Sequence, residues 1–596
     1  MRSREARDLN LRDFCYAYFG WVGRGLSRVF RGMERDLDAA YMKVYPDVYL
    51  SVVGFVAFLS LAVPLTLLVL MGLWPELSFL PMGGLLIVPL SAIIPLIVIV
   101  AGVVVPKTAA SNRISGLKVE IPYASMYISV MASGGLSPYE SLLRLRHTDL
   151  LPNMRKEVSR IEAMVISTGI DPVSAMEKAA KVVNMNDYKD LLLGYASTVR
   201  TGGDTLHYLF NQTESMFRSL STRIKTLGES MGMLMEAYTI VAILGVLSIF
   251  CIFVVGMSLP TAGVNISPDQ FFLFSFVVLP VLSGVFIYLG DAAQISYPIS
   301  NWKTYIVFAA FLPIGVLLGT QMVLPFFDEK FLLPPVTDFI LYIRTALNFA
   351  EGTEGAIGLT LTLVIISIPG LIADYYFTGR EGGLQHGITQ FLRDLVETRK
   401  SGLSPERCIN ALSSRDYSRF SKHLRMINLK LSWGYPIRQI YEEFRAKVRN
   451  WLALVNIYLL IDTIEVGGGS EESLETLAKF SESTKQLEDE KKAVLMPLTI
   501  VPYIGAALLT GTTVMFLQFF TNMSGFGVSV PHVTLYKVLL TPLALRSFTL
   551  GLVTGKIVAG RVSAGFKHAL FLTLVSLGGI WAVSNLSLGG GMGGLM

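Results

Sequence analysis

Charge is scarce in this sequence. Of 596 residues only 16% are Asp, Glu, Lys or Arg, while 52% are hydrophobic and the mean hydropathy is +0.53. Soluble domains carry about 25% charged residues, so the several soluble cores that this length would allow are excluded, as are a disordered and a fibrous chain. Cysteine is scarcer still. Cys15, Cys251 and Cys408 stand far apart and form no C-x-x-C pair, which excludes a disulfide framework and a thiolate metal site. Six histidines, at 147, 207, 386, 423, 532 and 568, make no H-x-x-x-H or H-E-x-x-H pattern, so no metal site is expected. The nearest approach to a phosphate-binding loop, Gly551 to Ile557, has the wrong spacing and lacks the Ser or Thr that would ligate magnesium. No catalytic, cofactor-binding or metal-binding residue is expected, and the chain is not read as an enzyme or a nucleic-acid binder.

What is abundant is apolar runs near the roughly 20 residues that a bilayer-crossing helix needs. Nine recur, at 48–72, 80–105, 233–258, 270–290, 304–324, 355–377, 493–521, 536–558 and 567–588. Cytoplasmic loops hold an excess of Lys and Arg. With the N-terminus inside, 46 of the 50 basic residues fall in segments on the cytoplasmic side. The expected topology is therefore multi-pass in the cell membrane, N-terminus cytoplasmic and C-terminus exterior. The tripeptides at Asn265, Asn522 and Asn585 fall in exterior segments of that scheme.

The expected plan is all-α. A basic amphipathic segment occupies 1–46 and the first two spans 47–105. A cytoplasmic helical domain at 106–232 is followed by spans three to six at 233–377, a second cytoplasmic helical domain at 378–492, spans seven to nine at 493–588 and a glycine-rich tail at 589–596. In the first segment Phe14, Tyr18, Trp21, Val22 and Leu26 recur at helical spacing among Arg24, Arg28, Arg31 and Arg35. Such a helix lies on an anionic membrane surface or docks on the rest of the protein. The first span is read as an anchor and not as a cleaved leader. Inside the spans, Gly315/Gly319 and Gly551/Gly555 are G-x-x-x-G packing faces, and Arg546 sits alone near the middle of the eighth span, a costly position for a charge. Two polar runs, Ser215–Lys225 and Glu482–Lys492, lead straight into spans three and seven and read as stiff helical stalks.

The two polar blocks repeat one another. Gly135-Leu136-Ser137-Pro138, Gly169 with Pro172, and Gly202-Gly203-Asp204 in the first are answered by Gly402-Leu403-Ser404-Pro405, Gly434 with Pro436, and Gly467-Gly468-Gly469-Ser470 in the second. From Leu136 to Gly169 to Gly203 the intervals are 33 and 34 residues; from Leu403 to Gly434 to Gly468 they are 31 and 34. Each landmark is a helix boundary, with a capping residue followed by proline or a glycine turn. Each block is expected to be a bundle of five or six short helices, and the halves are parallel repeats.

In this duplicated order and spacing the chain resembles the F-type inner-membrane platform proteins of type II secretion and type IV pilus machines. Its additional spans resemble the archaeal branch, which assembles archaella and adhesion pili. The resemblance implies a hexameric cytoplasmic secretion ATPase as partner, pilin-like or archaellin subunits as cargo, surrounding membrane lipids, and a dimer or similarly small oligomer. Candidate contacts with the ATPase are Arg144, Arg146, Arg155, Arg393, Arg399 and Lys400, because charge matching speeds and orients docking. The rival reading is a secondary transporter or channel built from parallel repeats.

Overall fold

The computed structural model describes residues 2–30, 32–40, 42, 44–60, 94–183, 185–258, 270–271, 274–295, 297, 302–328, 334–379, 383–523 and 532–589. All regular structure among them is helical. In the first part of the chain the α-helices are α1 (Arg2–Val29), α2 (Met33–Ala39), α3 (Pro46–Ser60), α4 (Ile94–Ser133), α5 (Pro138–Arg144), α6 (Pro152–Thr168), α7 (Pro172–Val182), α8 (Asn186–Arg200) and α9 (Thr205–Ser258). Then come α10 (Leu279–Ala293), α11 (Lys303–Val323), α12 (Pro325–Asp328), α13 (Pro334–Ala346) and α14 (Glu354–Phe377). The second polar block holds α15 (Leu384–Lys400), α16 (Pro405–Leu412), α17 (Ser421–Ser432), α18 (Ile437–Lys447), α19 (Trp451–Gly467) and α20 (Glu471–Leu495). Last are α21 (Ile500–Met523), α22 (His532–Ala559) and α23 (Gly565–Gly589).

The protein is a multi-pass membrane protein. Seven helical stretches among the described residues are long and apolar enough to cross a bilayer, and they coincide with the expected spans three to nine. The apolar helix α3 starts the first expected span and α4 begins inside the second. The intervening 61–93, Asn265 and the tail from 590 lie outside the described residues.

The two polar blocks match helix for helix along the sequence. The last half of α4 and then α5 to α9 correspond to α15 to α20. Gly135, Gly169 and Gly202 end helices of the first block with φ of 92°, 65° and 71°, and Gly402, Gly434 and Gly468 end their counterparts with 85°, 77° and 60°. A side chain resists that left-handed conformation, which is why glycine recurs there at a nearly constant offset. Starts are equally matched. Ser137 and Ser404 accept the amide hydrogens of Glu140 and Arg407, while Asp204 and Ser470 accept those of His207 and Ser473.

Contacts divide the chain into two compact units, Met1–Ser125 with Leu142–Leu209, and Met126–Ser141 with Phe210–Met596. In the first unit α1 runs antiparallel along α3. Phe14 and Phe19 meet Phe55 at 6.2 and 5.4 Å between ring centroids, and Gly54 lies against Val22. The basic segment thus packs on α3, while Tyr18 and Trp21 remain exposed. Further along, the fully buried carboxylate of Glu120 in α4 takes the amide hydrogens of Asn153 and Met154, at 2.8 and 2.7 Å, and so caps α6.

Burial pushes the Glu120 carboxyl up to about 7, against the pull of the Met154 and Asn153 hydrogen bonds and of Lys156. A carboxyl raised in this way contributes most below its unfolded value of 4.5, and the contribution is lost as pH rises through 7. Thermal unfolding of the purified protein is expected to show about 3 kcal/mol of destabilisation between pH 4.5 and 7.5 from this group. The Glu120→Gln variant should flatten that window; an unchanged slope would refute the assignment.

In the second unit α22 is the central membrane helix, packed by α10, α14, α21 and α23. Its Gly551 and Gly555 allow α23 to approach backbone to backbone: a Cβ on either would lie 2.2 Å from Ala569 Cα or 2.0 Å from the Gly565 amide. Gly315 and Gly319 of α11 face the side chains of Ile366 and Thr362 of α14, with Gly315 the tighter. Three charge pairs stand near the span ends: Lys556 with Asp291, Arg561 with Asp374 at 3.3 Å and Arg344 with Glu354 at 2.6 Å. Arg546 is buried, with neither Nη atom hydrogen-bonded to any described residue.

Alanine at Gly551 and Gly555 together is expected to lower the unfolding midpoint and the folded yield. The obstacle is backbone that cannot swing aside, and overpacking of this kind costs about 1–3 kcal/mol per site. Alanine at Gly245 or Gly284, which face open space, should be neutral or gain up to about 1 kcal/mol of helix propensity. Equal effects at the two pairs of sites would contradict the packing account.

Candidate functional site

The arrangement best suited to a function is mechanical and lies in the second unit, where a helix from each polar block continues towards the membrane. α9 runs for 54 residues without interruption, about 80 Å at 1.5 Å per residue. α20 leads through one 3₁₀ turn, Met496–Thr499, into α21. Both stalks anticipated from the sequence are therefore helical continuations of their spans.

The stalks lie side by side and parallel. Phe480 stacks with Phe217 at 5.9 Å and meets Phe210 at 5.1 Å, while the Lys479 ammonium sits 4.6 Å from the Phe210 ring centre. Lower down, Ser221 Oγ donates to Glu490 Oε2 at 2.5 Å and Gly228 makes room for Val494. Within the membrane Gly505 accommodates Thr239, and Leu227, Met231, Met235, Leu495 and Ala506 form one apolar cluster. The register stays near 266 residues throughout, the offset of the repeat itself. Each stalk is also tied to the first helix of its own block by a buried hydroxyl pair, Ser129 with Thr213 at 2.9 Å and Thr389 with Ser481 at 3.1 Å.

Between the blocks stands a buried polar junction. The Tyr127 hydroxyl, about two turns before the end of α4, donates to Asp462 of α19. Asp462, 1% exposed, also pairs with Arg438 of α18 at 2.8 Å, and Arg438 reaches Glu465 at 3.3 Å. Tyr458 joins the set, stacked on Tyr127 at 6.1 Å, with Arg438 5.4 Å above its ring and Tyr441 at 5.5 Å. Burial pushes the Tyr441 phenol above its ordinary value. α19 is buried along nearly its whole length, so the Asp462 carboxylate itself is shielded from water, while Arg438 keeps one side exposed.

The candidate basic contacts are already engaged. Arg146 pairs with Glu162, Arg155 with Asp149, Arg393 with Glu482 at 2.7 Å, and Lys400 with Glu397 at 3.6 Å. Arg144 is half-buried and also has a partner. Arg399 donates to the carbonyls of Leu403 and Gly469, at 2.6 and 2.9 Å. It thereby pins the Gly402–Pro405 turn to the late glycine turn, where Gly469 meets the Pro405 ring. The turn residues of the second block thus form one clasp. Asp462, Arg438 and Tyr127 were not singled out in the sequence; the available signal was an acidic residue inside the apolar run from Trp451 to Val466.

Among the described residues no group of His, Cys, Asp and Glu is disposed to hold a metal ion. What the geometry offers is a pair of stiff rods joined to two helical bundles. Residues 124–253 and 391–518 each match the family model of the type II secretion system protein F. The chain carries the type II secretion F domain twice. Each F domain match runs from the first helix of a block through its stalk into the following span, so the paired rods are the membrane-directed ends of the two F domains. An uncharacterized protein of Methanocaldococcus jannaschii is 20% identical over 513 residues, 80% of this chain and 82% of that one. No solved structure matches.

Proposed function

We propose that this protein is the membrane platform of a type IV filament assembly machine, in the archaeal branch of the F-domain proteins. The observation that carries the reading is the pair of stalks, continuous from the two F domains into spans three and seven. A hexameric secretion ATPase docks on the F domains from the cytoplasm, and its nucleotide-driven changes of shape turn or lift the stalk pair. Pilin-like or archaellin subunits are thereby drawn from the membrane into a growing archaellum or pilus. The chain performs no covalent chemistry; it works as a dimer or similarly small oligomer, with its N-terminus in the cytoplasm and its C-terminus outside. The Methanocaldococcus relative supports the archaeal assignment.

Crosslinking in native membranes, followed by purification of this chain and mass spectrometry, tests the proposal. A secretion ATPase attached within 106–232 or 378–492, together with small pilin-like proteins, is the expected result. Recovery of the chain alone, under conditions that capture other neighbours, would count against it. Beside the multiple spans and paired repeats, Arg546 is the structural observation that favours a transporter, since an intramembrane charge marks ion and substrate paths. Ion-coupled uptake by the purified protein in vesicles, abolished by Arg546→Gln, would establish that alternative.

A further inference from the structure

Among the described residues from Leu384 to Leu495, the large hydrophobic side chains left exposed are Leu429, Trp433 and Tyr435, at 50%, 65% and 40%. All three fall where α17 turns into α18. The corner is rigid. Gly434 has a φ of 77°, its amide donates to the Leu431 carbonyl at 3.0 Å and the Tyr435 amide to that of Lys430 at 3.1 Å, the bonds that close a glycine-terminated helix. The Lys430 ammonium lies 5.1 Å from the centre of the Tyr435 ring, and Trp433 meets that ring at 6.4 Å. With about 150–250 Å² for a whole aromatic side chain, the exposed fractions come to about 300 Å². Single exposed apolar residues are ordinary on a protein surface, whereas a contiguous patch of that size is often functional.

Leu429 and Trp433 stand one turn apart, and the same face of α17 carries Arg425 and Lys422, both exposed. Neither cation makes an ion pair or hydrogen bond with a described residue, and α17 holds no Asp or Glu. The repeat supplies a comparison inside the chain. At the offset of 265 residues that relates Gly169 to Gly434, the first block has Glu157, Arg160, Met164 and Thr168 in these places. There Arg160 pairs with the buried Glu157 at 3.3 Å, and the Thr168 hydroxyl donates to the Met164 carbonyl at 2.6 Å. The first block spends its two charges on each other; in the second both are cationic and face solvent beside an apolar patch. The corner also stands off the membrane. Tyr297, in the link between spans α10 and α11, stacks on Trp451 at the start of α19 at 5.0 Å and lies 5.4 Å from the Lys491 ammonium near the membrane end of α20, so α19 runs antiparallel beside the stalk. Arg438, two residues after Pro436, reaches Asp462 and Glu465, about 17–21 Å along α19 from Trp451 at 1.5 Å per residue. A headgroup layer is about 5–7 Å deep on each side of a bilayer, so lipid does not cover this patch.

We propose that the α17–α18 corner is the docking site for a cytoplasmic protein that offers an apolar socket to Trp433 and Leu429, rimmed by Asp or Glu facing Lys422 and Arg425. Trp and Tyr are the residues most often found at the energetic centre of an interface, and a turn already fixed in shape loses little freedom on binding. A second copy of this chain meeting the same face would bring cations to cations, since that face of α17 has no carboxylate. The inference stands apart from the filament-assembly reading, because any partner of that chemistry satisfies it.

The test replaces Trp433 by the photoreactive amino acid p-benzoylphenylalanine in the full-length protein in intact cells, with Glu475, exposed on α20, as the control position. Light is expected to join position 433, and not position 475, to a cytoplasmic protein at a segment where apolar residues are flanked by Asp or Glu. That protein, purified, should bind the full-length chain in detergent, and Trp433→Ala should weaken the binding about 30-fold, the loss typical of a truncated hot spot. Lys422→Glu with Arg425→Glu should weaken it about tenfold at low salt and less at high salt, whereas Lys422→Arg with Arg425→Lys should keep it. Because these side chains are exposed, every variant should retain the parent's unfolding midpoint, which separates loss of the surface from loss of the fold. Equal capture from the two positions, capture of a second copy or of lipid at 433, or a captured segment without Asp or Glu overturns the site. So does binding that neither Trp433→Ala nor the charge reversal changes.

Discussion

Methionine in place of Arg438 is expected to lower the unfolding midpoint of the purified protein more than any other single change at the repeat junction. It leaves the Asp462 carboxylate buried beside Tyr127 with its cation gone. Removing one partner of a buried ion pair costs about 3–5 kcal/mol. The lower end applies here, because Arg438 is itself 37% exposed and water screens its share. The companion variant Tyr127→Phe, Arg438→Met, Asp462→Leu replaces the whole set by apolar groups and should recover most of the loss, as apolar replacement of complete buried ion pairs does. A single variant as stable as the parent would show that the junction adds nothing. A triple variant no better than the single one would locate the cost in packing around Tyr458.

Three glycines inserted after Thr222 are expected to abolish filaments at the cell surface while the protein still reaches the membrane. Each glycine weakens the stalk by about 1 kcal/mol. Three residues also rotate everything beyond them by about 300° at 3.6 residues per turn, which carries Gly228 away from Val494 and Thr239 away from Gly505. A seven-residue helical insertion at the same point and after Lys491 adds almost two full turns to both stalks and keeps them in register. Electron microscopy should find filaments restored by the double heptad and absent with the heptad in one stalk alone. Filaments surviving the glycine insertion would count against the proposed platform role or against force transmission through the rods.

Spans three to nine and the repeat were legible in the sequence for local reasons. Twenty apolar residues in a row answer only to the bilayer, and a glycine that ends a helix with positive φ answers only to its own backbone, so Gly135, Gly169, Gly402 and Gly434 announce their turns. Caps such as Ser137 and Ser404 act over three residues and are equally visible. The junction was not legible, because Tyr127 and Asp462 are 335 positions apart and nothing near either one names the other. Arg399 shows the same limit from the other side. Its charge and its place in a cytoplasmic block fit a docking residue, whereas its hydrogen bonds to Leu403 and Gly469 follow only from how two turns meet.

The two stalks are unequal in one respect. α9 passes into its span without a break, while its partner changes to a 3₁₀ turn at Met496–Thr499, where Pro497 has no amide hydrogen to give. One member of the pair is a continuous beam and the other is a beam with a joint. Because the two are fastened along their length, an axial thrust from the cytoplasm cannot shorten them equally; the jointed member yields first. Under the proposed ATPase drive, the mismatch would turn straight compression into a sideways tilt of the membrane segments in one sense, much as a strip of two metals bends one way on heating.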